Sequence, residues 1–184
     1  MKKVAIVMVN WNGKTDTIKC LDSLEHASKP KSLSVSIIVV DNGSSDNSAE
    51  EIRKKFSSID IIENNENLGF SGGNNIGIKK ALKDGADFIW LLNNDTRVDE
   101  YALQALVDSF ADEKVGIAGS KIYFSPGREF HKDRYDKSEQ GKVIWYAGGL
   151  IDWANMYASH RGVDEVDHGQ YDATVETPFV TGCS

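Results

Sequence analysis

The chain has 184 residues, is 40% hydrophobic and carries a net charge of −7, which is enough apolar material for one core of ordinary size and hence a single domain. The acidic balance excludes a broad nucleic-acid surface, because neutralising phosphates requires clustered Lys and Arg. Met1-Lys2-Lys3 leads into an apolar stretch, Val4 to Val9, that is too short for a signal-peptide core or a membrane span. The expectation is therefore a cytoplasmic protein with no transmembrane segment in this chain. Cys20 and Cys183 stand far apart without CxxC or Cys/His metal spacing, which suits a reducing compartment and two packing residues.

Lys3 to Asn10 and Ser34 to Asp41 are β-branched apolar runs that end abruptly in polar residues, as buried parallel strands do. Between them Ile18, Leu21 and Leu24 recur at helical spacing, and Ala49, Ile52 and Phe56 do the same after the second run. Ile59 to Glu63 and Phe88 to Leu92 repeat the strand pattern. A helix from Asn74 to Lys83 with Gly85 as its stop signal lies between them. The order βαβαβαβ predicts an α/β fold with a mostly parallel sheet flanked by helices and ligands at the carboxyl ends of the strands. Tyr101 to Phe110 reads as a further helix, Val115 to Phe124 as a strand, and Ser125 to Gln140 as a mobile surface loop. His160 and His168 lack a third ligand and read as surface residues.

Four polar clusters follow the apolar runs: Asn10-Trp11-Asn12-Gly13, Asp41 to Asp46, Asn67 to Asn75, and Asn93-Asn94-Asp95-Thr96. In a parallel sheet these loops converge on one edge, where they offer carboxylates, amides, an aromatic face and glycine-exposed backbone. A base, a ribose and a diphosphate need those groups. Glycines before a helix let the backbone approach an anion, and a helix start supplies free amides; tight packing is the alternative use of the same glycines. Asp41 can serve a ligand or cap a turn, whereas Asp46 precedes Asn47-Ser48-Ala49-Glu50 and reads as a helix cap. Neither a Walker loop nor GxGxxG after the first strand is present.

The stretches Val9 to Gly13, Val39 to Asp46, Asn67 to Gly77 and Leu91 to Thr96 resemble, in order and spacing, the family 2 glycosyltransferases of the GT-A nucleotide-diphospho-sugar transferase fold. Within that family the chain looks most like bacterial rhamnosyltransferase-type members. The resemblance implies a donor-binding half over residues 1–100 and the start of an acceptor-side half over 101–184. It further implies a donor site made of Asn10, Trp11, Asn12, Asp41, Asn42, Gly69, Gly72, Gly73, Asn74, Asn93 and Asn94, with Asp41 accepting from the base or ribose. Asn93-Asn94-Asp95 stands where the family carries DxD, so Asp95 would bind a divalent cation, Mg2+ or Mn2+. Asn93 supplies a neutral oxygen where a charge is usual.

The reaction implied is inverting transfer of a sugar from a nucleotide-diphospho-sugar, with UDP- and dTDP-sugars favoured, to the hydroxyl of a saccharide or lipid-linked saccharide in bacterial cell-surface polysaccharide synthesis. The full-length protein would act peripherally at the inner face of the membrane. Family members carry the general base in a Glu-Asp pair downstream of the stretch resembling Phe179 to Ser184, so it is expected beyond Ser184, in a part this C-terminally truncated chain does not contain. The catalytic residue is therefore unknown. Two alternatives stand beside this reading: a noncatalytic nucleotide-sugar-binding module, and a sugar-phosphate nucleotidyltransferase, which should carry a Gly- and Arg-rich loop where this chain has Asn-Trp-Asn-Gly.

Overall fold

A computed structural model describes residues 1–182, the side chain of Lys132 excepted. The chain divides into two compact units, residues 1–107 and 108–182.

The first unit alternates strand and helix: β1 (Lys2–Asn10), α1 (Lys14–His26), β2 (Leu33–Asp41), α2 (Ser48–Lys55), β3 (Asp60–Glu63), α3 (Gly69–Lys83), β4 (Phe88–Leu91) and α4 (Ala102–Asp108). The strands form one sheet in the order β3-β2-β1-β4, with every pair parallel. Because side chains alternate across a strand, β1 feeds two cores. Val4, Ile6 and Met8 pack with Cys20, Leu21 and Leu24 of α1, Ile52 of α2, and Trp90, Leu92 and Leu103. Ala5 and Val7 face the other way and pack with Ile38, Val40 and Ala81 of α3. Burial on both faces explains why β1 and β2 read as continuous apolar runs.

The glycine-rich stretch expected to precede a helix is the start of the helix itself, since α3 begins at Gly69 rather than Asn74. Two of its glycines, Gly73 and Gly77, lie against the sheet. A Cβ at Gly73 would stand 2.8 Å from Val9 Cγ1, and one at Gly77 would overlap Val7 Cγ1. Burial against β1 outweighs the poor helix propensity of glycine.

The second unit contains two antiparallel pairs: β5 (Ile122–Tyr123) with β6 (Ile144–Tyr146), and β7 (Gly149–Asp152) with β8 (Tyr157–His160). The strand expected over Val115 to Phe124 is reduced to Ile122–Tyr123. Ser125 to Gln140 contains a 3-10 turn at Lys132–Arg134 and is tied down: Glu129 is buried and accepts from Gly141 N, and the Tyr135 hydroxyl donates to Asp164 O at 2.7 Å. His160 is not a surface residue. It is half-buried, with its ring edge-on to Trp145 and Tyr146.

Cys20 is enclosed in the first core, and burial pushes its thiol pKa up; Cys183 lies outside the described residues. Among the described residues no helix is long and apolar enough to cross a membrane.

Candidate functional site

The four polar clusters meet at the carboxyl edge of the parallel sheet because β1 lies between β2 and β4, with Asn10 in register with Asp41 and Asp41 with Glu63. Neighbouring loops touch directly. Asn12 adopts φ 51, so that its Oδ1 accepts from Ser45 N at 2.8 Å while its own N donates to Ser44 Oγ at 2.9 Å. This joins the loops after β1 and β2. Asn42 joins the loop after β2 to the start of α3: its Nδ2 donates to Asn67 Oδ1 at 2.8 Å and Gly69 O at 3.1 Å, and its Oδ1 accepts from Asn64 Nδ2 and Leu68 N. Gly13 joins the β1 and β4 loops, since a Cβ there would stand 2.6 Å from Asn94 Nδ2.

Asp41 is 4% exposed. Its Oδ1 accepts from Ser44 N at 2.9 Å and its Oδ2 from Asn10 Nδ2 at 2.8 Å. A carboxylate offers about four lone-pair sites, so each oxygen keeps an accepting site beyond this bond. Asn10 is wholly enclosed, and its amide is engaged within the protein on both sides: Nδ2 reaches Asp41 and Ser44 Oγ, and Oδ1 accepts from Thr17 Oγ1 at 2.7 Å. Trp11 is 57% exposed at this edge rather than buried in a core. Phe70 and Leu68, at the start of α3, are exposed too.

Of the α3 residues, Gly69 has φ +73 and open space around it, and its N donates to Asn67 Oδ1 at 2.8 Å. Gly72 faces Leu68 Cβ, and Asn74 is buried with Nδ2 bonded to Phe70 O at 3.0 Å. Asp46 has the capping role expected of it. One oxygen accepts from Ser48 N and the Ser48 hydroxyl, and the other accepts from Lys14 N at 3.2 Å, so one side chain serves the starts of α1 and α2. Burial opposes its charge, but these donors outweigh it and hold its carboxyl below the usual range.

At the end of β4, Asn93 O accepts from the Thr96 hydroxyl at 2.8 Å, Asn94 Nδ2 donates to Thr17 Oγ1 at 2.9 Å, and Asp95 is exposed. Among the described residues no three His, Cys, Asp or Glu side chains form a metal cage. One exposed carboxylate beside two amides would suit a hard divalent cation that completes its shell with phosphate and water, and it lacks the His and Cys ligands that zinc prefers.

Sequence motifs pass over Thr17, although its signal is present. Thr17 stands at i−4 and i−7 from the buried Leu21 and Leu24, a hydroxyl on an otherwise apolar helical stripe. In the second unit, Asp152 is spent on its own hairpin, accepting from Ala154 N and Asn155 N. Asp172 is paired with Lys121 at 2.6 Å.

The model of the family described as glycosyl transferase family 2 matches residues 5–165. A poly-beta-1,6-N-acetyl-D-glucosamine synthase of Staphylococcus aureus is 36% identical over 119 residues, which cover 63% of this chain and 27% of that protein. The chain thus spans little more than a quarter of that relative. Among solved structures, S. aureus TarS 1–349 in complex with UDP-GlcNAc aligns with TM-score 0.53 at 20% identity, covering 70% of this chain and 39% of that one. The mannosyltransferase PcManGT of Pyrobaculum calidifontis, in complex with GDP-Man and Mn2+, aligns with TM-score 0.54 at 19% identity over 65% and 35% of the two chains. Both likenesses establish the GT-A fold.

Proposed function

Because the chain belongs to glycosyl transferase family 2, we propose that the carboxyl edge of its parallel sheet binds a nucleotide-diphospho-sugar and that the protein transfers the sugar, with inversion, to an acceptor hydroxyl. The observation that carries this reading is the interlocking of four loops around a buried acceptor, Asp41, with a lone exposed carboxylate, Asp95, across β1. Asp41 accepts from the base or ribose through its remaining lone pairs. Asn10 and Asn42, whose polar groups are engaged within the protein, act from behind by fixing Asp41 and the start of α3. Trp11 offers an aromatic face to the base, and Asn12 shapes the loop that presents it. The backbone over Gly69, Gly72, Gly73 and Asn74 brings the positive end of α3 toward the diphosphate.

Asn93, Asn94 and Asp95 are the residues that hold a divalent cation together with the diphosphate. Such a cation, when bound, stabilises charge on the departing diphosphate by roughly 4 kcal/mol per unit charge pair at about 4 Å and an effective dielectric near 20, before desolvation. The donor classes favoured are UDP- and dTDP-sugars, and the acceptor is a saccharide or lipid-linked saccharide. A polysaccharide synthase among the relatives supports a place in bacterial cell-surface polysaccharide synthesis, with the full-length protein cytoplasmic and peripheral at the inner face of the membrane.

Calorimetric titration of UDP, dTDP and GDP with and without Mn2+ tests this on the wild type and Asp95→Ala. One diphosphate should bind, and Mn2+ should tighten it about tenfold, equivalent to ~1.4 kcal/mol once desolvation has taken its share. In Asp95→Ala that enhancement should vanish while thermal melting stays unchanged, since the exposed side chain supports nothing in the core. Absence of nucleotide binding, or full Mn2+ enhancement in the variant, would refute the assignment.

A further inference from the structure

Thr17 lies in α1, away from every sequence motif, yet it bonds to both halves of the site. It is 0% exposed. Its hydroxyl donates to Asn10 Oδ1 at 2.7 Å and accepts from Asn94 Nδ2 at 2.9 Å. A hydroxyl has one proton to donate, so these two bonds fix its sense: proton toward Asn10, lone pair toward Asn94. Beyond Asn10 the path continues to Asp41 Oδ2 at 2.8 Å. An unbroken chain of side-chain hydrogen bonds thus runs from the turn after β4, through α1 and the end of β1, to the end of β2.

Two neighbours support this chain. A Cβ at Gly13 would stand 2.6 Å from Asn94 Nδ2 and 3.2 Å from Asn10 Oδ1, so the absence of a side chain there gives Asn94 room to reach Thr17. One turn along α1, Cys20 Sγ lies 3.7 Å from Asn93 O as a weak donor. The 93–96 turn is therefore held against α1 at two successive residues.

We propose that Thr17 is a positioning residue that couples the nucleoside end of the donor site, at Asp41, to the diphosphate end, at Asn93–Asp95. The inference rests on the donor-site reading above. Bonds within a buried network polarise and orient one another, and removing a member leaves its partners unsatisfied. With a methyl in place of the hydroxyl, the Asn10 amide loses the donor that holds it, and with it the orientation of the bond to Asp41. Asn94 loses its tie to α1 at the same time. Each half can then relax without the other.

The test uses the affinity ratio between the nucleoside diphosphate with Mn2+ and the corresponding free nucleoside, in the uridine, thymidine or guanosine series that the wild type binds. This ratio isolates what the diphosphate end adds, and a loss of stability that leaves the protein folded does not change it. Thr17→Val removes both bonds and should lower the ratio about tenfold, the effect of losing the one that ties Asn94 at the diphosphate end. Thr17→Ser, which keeps the hydroxyl and with it both bonds, should stay within about twofold of the wild type, because the methyl it loses takes part in neither bond. Gly13→Ala should also lower the ratio with Thr17 intact, because its Cβ displaces Asn94, and it serves where Thr17→Val does not fold. A wild-type ratio in folded Thr17→Val or in Gly13→Ala, or equal damage in Thr17→Ser and Thr17→Val, would overturn the coupling role. A wild type that binds neither nucleoside nor diphosphate would instead refute the donor-site reading before any variant is compared.

Discussion

Replacing Asp41 by Asn separates the two duties assigned to that carboxylate. Its oxygens accept from Ser44 N at 2.9 Å and Asn10 Nδ2 at 2.8 Å in a residue 4% exposed. An amide brings one oxygen and one NH2 group, so one of those donors must face another donor. A buried polar group left in that state costs about 1–3 kcal/mol, and we expect Asp41→Asn to lower unfolding free energy by about 2 kcal/mol in urea titration. Exchanging the pair, Asn10→Asp with Asp41→Asn, restores complementarity. The amide at 41 donates to the carboxylate at 10 and still accepts from Ser44 N, and the carboxylate still accepts from the Thr17 hydroxyl. Stability should recover by more than half. Nucleoside affinity, measured by calorimetry, should remain about tenfold or more below wild type, because a charge-assisted bond worth ~1.5–3 kcal/mol has moved from β2 to β1. Recovery of nucleoside affinity together with stability would show that Asp41 only shapes the turn.

Gly77→Ala should destabilise by up to ~2 kcal/mol in the same urea assay: its Cβ overlaps Val7 Cγ1, and overpacking at about 1–3 kcal/mol exceeds the roughly 1 kcal/mol that Ala gains over Gly in a helix. Gly116→Ala, with nothing within 4 Å of its Cβ, should stay within about 0.5 kcal/mol of the wild type, and a stabilised Gly77→Ala would contradict the packing. In residues 108–182, burial works against the charge on Asp167, but bonds from Lys121 and Tyr123 overcome it and bring its carboxyl down to about 2. A depressed folded value means stability that is present above the ordinary value near 3.9 and lost as pH falls through about 2. Lys121 is shifted up, so its share persists until pH rises above its usual range. Unfolding curves should therefore be flat with respect to this pair near neutrality and weaken between about pH 4 and 2. Asp167→Asn should shrink that acid limb without removing it, since Asp46 and Asp164 are also depressed, and an unchanged limb would exclude the pair as a source.

The order of elements in residues 1–107 and the edge that carries the polar clusters were legible from periodicity alone, since both cores draw on strands with nearly continuous apolar runs. Legibility ended where one residue type serves opposite purposes. Trp11 carries no local sign of its exposure, which depends on lying one residue past the end of β1. Val115 to Phe124 has the composition of a strand, but its ladder with β6 is confined to Ile122 and Tyr123, and strand pairing is not a local property. His160 has no third ligand at metal spacing, and the residues beside it in sequence carry no sign that its ring is enclosed. Its actual neighbours, Trp145 and Tyr146, are brought to it by the strand pairing.

The glycines of α3 show best how packing and site geometry depend on each other. Gly69, Gly73 and Gly77 recur every four residues, so they share one face of the helix, and 73 and 77 meet Val9 and Val7 of β1. Four helical residues rise about 6 Å and two strand residues about 6.6 Å, so the two repeats run nearly in step and the helix can lie close to the strand over successive turns. A helix held this close begins beside the end of β1, where Asn42 bonds to Asn67, Leu68 and Gly69. Read as local sequence, the same residues look like a flexible loop made for an anion. Packing against valine turns them into a rigid helix whose first turn still opens onto the candidate site, so the two uses of these glycines are compatible: close contact along the strand is what puts the amide end of α3 among the loops.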